Sequence, residues 1–342
     1  MQTAYPFTHI NDQFEGSIMP VMTYLEAIAD SLKIEMRKDE SVFMIGEDIG
    51  TYGGAFKLTK GFLEEFGTQR IIDAPISEAA IIGAAIGASL NGMRPVVEMQ
   101  FMDFITCGFN QLVNVAGTTA YRWGIGVPIV VRGPAGGGVG ANPFHSRNSE
   151  AWFVQATGLK VVCPSSPADA KGLMTASIRD NNPVVFFEHK GLYRKIKEEV
   201  PEGEYSIPLG KARIVREGTH ASIICYGSAV HMAMEVAERM EKEGVSIEII
   251  DIPTLVPFDE ETVLASARKT NRVLITHEAT LTGGFAGEIS ARITEKAFDA
   301  LDAPIKRVAA FDSPTPFAPT LEKAMLPNAD KIEQELRELL LF

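Results

Sequence analysis

Residues 70–99 read RIIDAPISEAAIIGAAIGASLNGMRPVVEM, and this stretch decides the fold. Pro75 favours an extended or turning entry, Ser77 is suited to an N-cap, and Glu78 falls in the first turn of a helix made almost wholly of small or apolar residues. Such a helix is expected to be buried, with Gly and Ala faces that let other backbones come close. Working outward, strands are predicted over residues 42–45, 96–99, 129–131, 161–163 and 184–187, as Val, Ile and Phe runs rather than alternating patterns. Such runs fit a parallel sheet covered on both faces. Helices intervene from Thr23, where Thr23 and Glu26 are spaced as a capping box and Leu25, Ile28, Leu32 and Met36 share one face. Two more are expected over 104–120 and 168–179.

The pattern describes an α/β domain over 21–195, preceded by an arm over 1–20. Residues 197–208, KEEVPEGEYSIP, are charged and contain Pro and Gly, which suits an exposed linker over 196–210. A smaller α/β domain follows over 211–342, with strands expected at 223–226, 247–250, 273–276 and 307–310 and a helix near 232–242. Two domains agree with 342 residues, more than one core usually supports.

A composition of 46% hydrophobic and 22% charged residues is that of a soluble globular protein. The net charge of -12 argues against nucleic acid, which is bound through clustered Lys and Arg. Cys107, Cys163 and Cys225 are too scattered for a disulfide framework or a zinc site and suit a reducing compartment. Residues 1–20 contain Asp12 and Glu15 but no Lys or Arg, unlike a secretory signal or an Arg-rich transit peptide. No apolar run approaches the ~18 residues of a membrane span, so a cytoplasmic chain is expected.

Three segments could carry chemistry. A carboxylate at Glu78, at the tip of an apolar helix, would lie where its protonation can be tuned; taken alone it reads more readily as an acid favoured by the helix dipole. The stretch 132–146, RGPAGGGVGANPFHS, follows a strand, where α/β sheets place ligands. No Lys-Ser or Lys-Thr closes it, so a nucleotide loop is not expected. His145 could serve there as acid, base or anion stabiliser, or be a solvated loop histidine. Gln100 and Phe104, also beyond a strand, could offer an amide and a ring to a heterocycle, or the ring could simply fill core.

In order, Ile45-Gly46-Glu47-Asp48, Asp73-Ala74-Pro75-Ile76-Ser77-Glu78, His145-Ser146 before Glu150-Ala151-Trp152-Phe153, Gly158-Leu159-Lys160-Val161-Val162 before Pro164-Ser165, Asp180-Asn181-Asn182-Pro183, and His277-Glu278-Ala279 before Gly283-Gly284-Phe285 resemble the β subunits of thiamine-diphosphate-dependent 2-oxo acid dehydrogenases, which are transketolase-like. The resemblance spans about Thr23 to the end. It implies an α2β2 heterotetramer in which the α chain holds the diphosphate and Mg²⁺ and the β chain the pyrimidine; this chain has no Gly-Asp-Gly opening a metal-diphosphate motif.

The family's activating glutamate falls on Glu78, which would hydrogen-bond a pyrimidine ring nitrogen. Phe104 falls on the ring packed against the pyrimidine, with Gln100 and Glu47 as neighbours. His145 falls on a histidine used in passing the acyl group to a lipoyl arm. A structural K⁺ site matches Ile129, Ser177, Ile178, Asp180 and Asn182, and Asp312 and Phe342 match positions that dock the lipoyl-bearing acyltransferase core. The implied reaction is oxidative decarboxylation of a 2-oxo acid, pyruvate first, with branched-chain 2-oxo acid or acetoin relatives as alternatives. A non-catalytic assembly subunit is the alternative of another class, while a self-sufficient transketolase-like enzyme lacks its diphosphate motif.

Overall fold

The structure, a computed structural model, describes residues 2–3 and 19–342; of the arm expected over 1–20, residues 1 and 4–18 lie outside the described residues. The chain divides into two compact units, one formed by residues up to 135 with 152–209, the other by 136–151 with 210–342.

The first unit contains β1 (Gln2–Thr3), β2 (Val21–Thr23), α1 (Tyr24–Lys38), β3 (Val42–Gly46), α2 (Phe62–Phe66), β4 (Ile71–Asp73), α3 (Glu78–Leu90), β5 (Arg94–Glu98), α4 (Gly117–Trp123) and β6 (Val130–Ala135). After α5 (Glu150–Val154) come β7 (Lys160–Val162), α6 (Pro167–Arg179), β8 (Val184–His189) and β9 (Ile196–Glu199). Six parallel strands hydrogen-bond in the order β7-β8-β6-β5-β3-β4. Every residue of β6 is buried, as the unbroken apolar runs require of a sheet covered on both faces.

Local chemistry sets the helix starts. At α1 the Thr23 hydroxyl accepts from the Glu26 N–H at 3.2 Å, and the Glu26 carboxylate accepts from the Thr23 N–H at 2.8 Å. The predicted face of Leu25, Ile28, Leu32 and Met36 is buried. Ser166 caps α6, and Pro167 fills its first position, where no N–H is needed.

The helix expected over 104–120 forms and is helical without a gap from 102 to 123, though not uniformly α: it is 3₁₀ at Met102–Gly108 and π-helical at Gln111–Ala116 before α4. Neighbours approach this helix closely at its glycines, since a Cβ on Gly108 would overlap Ile82 Cδ1 and one on Gly117 would lie 2.8 Å from Thr157 O. Other expectations are corrected. Helix α3 buries only Ile81, Ile82, Ala85, Ile86 and Ser89, and leaves Ala80, Gly83, Ala84 and Gly87 exposed. Side chains that small present little apolar area, so their exposure costs little. The stretch 196–210 is exposed only in part: residues 202–204, 206 and 208 are exposed, whereas β9 pairs with β1 and β2 and Val200 and Tyr205 are buried. Residues 136–151, which lie within the span 21–195 expected for the first domain, group by contacts with the second unit.

Gly158 has φ +86, and a Cβ there would overlap the Gly117 carbonyl oxygen. Gly158→Ala is expected to destabilise the first unit by about 3 kcal/mol through overpacking and backbone strain, read as a lower urea midpoint. An unchanged midpoint would show that Gly117 can yield.

The second unit contains β10 (Arg213–Arg216), β11 (Ala221–Cys225), α7 (Ala229–Glu241), β12 (Ile247–Asp251), the short β13 (Thr254–Val256), α8 (Glu260–Thr270), β14 (Val273–Thr280), α9 (Ala286–Ala297), β15 (Lys306–Ala310), α10 (Pro319–Met325) and α11 (Ala329–Leu339). Its five-stranded sheet runs β10-β12-β11-β14-β15, parallel except for β10. All three cysteines are free thiols. Among the described residues no helix is long and apolar enough to cross a membrane.

Candidate active site

Strands β4, β3 and β5 are neighbours, and their carboxyl ends deliver three of the sequence segments to one edge of the sheet. Gly46 is in register with Asp73 on one side and Glu98 on the other. Glu47 therefore follows β3, the turn to Glu78 follows β4, and Gln100 and Phe104 follow β5, which is the ligand-binding edge of an open parallel sheet. Gly46 is required there, since a Cβ would lie 2.8 Å from Glu98 O.

Glu78 is half-buried at the first position of α3. Ser77 occupies the N-cap position but does not cap: its hydroxyl donates instead to the Pro75 carbonyl at 2.8 Å, across the turn that the proline imposes. Glu47 is only 7% exposed, and its Oε1 has no partner among the described residues. Burial first, then the nearby Glu78 charge, pushes the Glu47 carboxyl up, while the Ser77 backbone N–H pulls it down. A buried carboxyl pushed up by desolvation and by a neighbouring charge is a common signature of a functional site.

Asp48, at φ 59, adopts a left-handed conformation rare outside glycine. Its carboxylate accepts from the Gln100 amide at 3.4 Å. The half-buried Phe104 ring meets Phe101 edge-on, with centroids 6.3 Å apart. Its 3₁₀ turn packs on the start of α3, where Glu78 O would lie 3.5 Å from a Cβ on Gly108. The structure thus gathers Glu47, Glu78, Gln100 and Phe104, and the set suits a flat nitrogen heterocycle: a ring face, an amide, a carboxylate and a buried oxygen lacking a partner.

The first unit also holds a cluster that sequence reading missed. Arg132 on β6 is 1% exposed and donates from Nε and Nη2 to the Glu188 carboxylate and from Nη1 to Glu98. The Tyr193 hydroxyl donates to Glu188 at 2.6 Å. Burial pushes the Glu98 carboxyl up, against the pull of Arg132. Single charged residues at the ends of the runs Val96-Val97, Val130-Val131 and Phe186-Phe187 were the available signal.

Of the set matched to K⁺, the Ile178 and Asp180 carbonyls each accept from Arg94 Nη1 at 2.9 Å, and the Ile129 carbonyl accepts from the Val184 N–H. The Asp180 carboxylate is paired with Lys160 and accepts from the Asn182 N–H. Ser177 donates to the Leu173 carbonyl. Oxygen donors suit a hard cation, but a K⁺ here would share two of them with the fixed charge of Arg94.

In the second unit His145 is half-buried, its Nδ1 3.3 Å from the Ala141 carbonyl. Asp312 is exposed, and the Thr282 hydroxyl, then the Thr282 backbone N–H, holds its carboxyl below the usual range. Phe342 is exposed.

Residues 21–195 match the transketolase pyrimidine binding domain, and residues 210–332 the transketolase C-terminal domain. The chain is 48% identical to the 2-oxoisovalerate dehydrogenase subunit beta of Bacillus subtilis (strain 168), over 95% of this chain and 100% of that one. It is 44% identical to the pyruvate dehydrogenase E1 component subunit beta of Staphylococcus aureus (strain COL), with the same coverage. A solved split-gene transketolase, an inactive beta4 tetramer, superposes with TM-score 0.75 at 19% identity over 95% of this chain and 99% of that one, a likeness of fold. With both of its domains matched and its full-length relatives so similar, the chain belongs to the transketolase-like family of 2-oxo acid dehydrogenase β subunits.

Proposed function

We propose that this chain is the β subunit of the decarboxylase component of a 2-oxo acid dehydrogenase complex, working with an α subunit in an α2β2 assembly on pyruvate. The observation that carries this reading is Glu78 beside the buried, incompletely partnered Glu47 at the shared carboxyl edge of β3, β4 and β5. Thiamine diphosphate, when bound, supplies the electron sink for loss of CO₂. The chain's own part is to hold its pyrimidine: Glu78 keeps a proton at a ring nitrogen, Phe104 offers a ring face, and Gln100 and Glu47 complete the polar wall. The diphosphate and Mg²⁺ belong to the α chain in this reading. His145 serves transfer of the acyl group to a lipoyl arm. Asp312, exposed and kept ionised by Thr282, and Phe342 face a basic docking region of the acyltransferase core, where complementary charge gives specificity.

A second reading, a branched-chain 2-oxo acid as substrate, is favoured by the 48% identity to the 2-oxoisovalerate dehydrogenase subunit. Reconstitution with the α subunit and assay with an artificial electron acceptor separates the two. Pyruvate is expected to turn over fastest among pyruvate, 2-oxoisovalerate and acetoin. Preference for 2-oxoisovalerate would install the second reading, and inactivity on all three would refute both.

A further inference from the structure

The glycine-rich segment 136–148 carries His145, yet the N–H groups of Gly137, Gly138 and Gly140 are not open to a ligand, because two carboxylates of its own unit accept from them. Gly136, Gly138 and Gly140 have φ of +88, +79 and +72, while Gly137 and Val139 do not have positive φ. This alternation turns successive N–H groups toward a common side, as in an anion-binding nest. Glu322 of α10, 3% exposed, occupies that side: Oε1 accepts from the Gly138 N–H at 2.9 Å and Oε2 from the Gly140 N–H at 3.1 Å. Glu278 of β14 takes the flanks of the loop. Its Oε1 accepts from the Gly137 N–H at 2.6 Å and from the Asn148 amide at 2.9 Å, and its Oε2 accepts from the Ser228 hydroxyl at 2.9 Å. A Cβ on Gly137 would lie 3.0 Å from Leu326 Cδ1, so the loop is pressed against the end of α10. Beyond His145, the Tyr226 hydroxyl donates to Glu150 at 2.8 Å and closes the segment.

We propose that Glu278 and Glu322 are positioning residues that clasp the 136–148 loop and so set the place of His145, an inference that rests on His145 acting in acyl transfer. The two carboxylates differ in a way that makes the proposal testable. Both Glu322 oxygens accept from backbone N–H groups, so an amide there turns an NH₂ against an N–H whichever way it is placed. At Glu278, Oε1 accepts from the Gly137 N–H and the Asn148 amide, while the Ser228 hydroxyl on Oε2 can accept as well as donate. Glu278→Gln therefore keeps the hydrogen bonds to Gly137, Asn148 and Ser228 by rotation of the Ser228 hydroxyl.

The experiment uses the full chain assembled with its α subunit, in four variants: Glu322→Gln, Glu322→Ala, Glu278→Gln and Glu278→Ala. Amide hydrogen exchange over 136–148 is measured by mass spectrometry. Glu322→Gln, Glu322→Ala and Glu278→Ala are expected to raise exchange of this segment about tenfold or more, as loss of hydrogen bonds to a charged group does, whereas Glu278→Gln stays near the parent. Exchange in Glu322→Gln equal to the parent, or equal effects of Gln at both positions, overturns the clasp. In parallel, reductive acylation of a lipoyl domain is compared with decarboxylation using an artificial acceptor. Loosened variants are expected to lose up to about 10²-fold in acylation and much less in decarboxylation. A loosened loop with acylation intact would leave the clasp standing and remove His145 from the reaction.

Discussion

Glu78→Gln, in the assembled enzyme, is expected to lower decarboxylation by about 10²–10⁴-fold, the range for a lost acid-base group, while the thermal unfolding profile stays within a degree or two of the parent. The amide matches the carboxylate in size but neither carries its charge nor exchanges a proton at neutral pH. Because Glu78 is only half-buried at a helix start, the exchange leaves packing largely untouched. Its effect reaches Glu47 as well. Glu47 is pushed up first by burial and then by the Glu78 charge, so removing that charge lets the Glu47 carboxyl fall back toward its ordinary value. Any residual activity should follow a pH profile displaced to lower pH on its acid limb. An unchanged rate would remove the mechanism and favour a non-catalytic assembly subunit that has kept the fold.

The largest effect on stability is expected from Arg132→Met. Arg132 is 1% exposed and pairs with both the Glu98 and Glu188 carboxylates. Taking one partner from a buried ion cluster costs about 3–5 kcal/mol, because charge is left without compensation. Trp123 and Trp152 both lie in the first unit, so tryptophan fluorescence in urea reads this unit directly. A loss under about 1 kcal/mol, well below the buried-pair range, would mean that the cluster relaxes or takes in water.

Glu98→Gln should behave in the opposite sense. Burial raises the Glu98 carboxyl above its ordinary value in the folded state, so the folded chain binds that proton more tightly than the unfolded one. The stabilisation it gives is fully present below the unfolded pKa and is lost as pH rises through the folded value. The amide should therefore flatten the decline in stability between acidic and neutral pH rather than add to it. A decline as steep as the parent's would place the titration on another group.

Much of the fold was legible because its signals are local. The Thr23 and Glu26 capping box closes within four residues and forms as spaced. The Val and Ile runs at 42–45 and 184–187 became strands because their apolar side chains need cover on both faces, whatever surrounds them. The candidate site was legible for a related reason. Strand ends are local features, and the carboxyl edge of a parallel sheet places Glu47, Glu78 and Gln100 together once β4, β3 and β5 are adjacent. Ser77 shows the limit of such reading, since its hydroxyl had a nearer acceptor in the Pro75 carbonyl than the cap its type suggests.

By itself, the sequence determined the order of strands and helices, the α/β class and the residues that stand at strand ends, because periodicity, caps and apolar runs act over a few residues. Tertiary structure alone decided which distant segments share a core. It placed 136–151 with the unit that begins at Gly210, drew 196–199 into a sheet with 21–23, left one face of α3 exposed, and paired Arg132 with carboxylates 34 and 56 residues away. Each of these depends on strand register and on a charge or N–H group finding its partner across a long loop. That choice is made by the collapse of the whole chain, and no window of local sequence contains it.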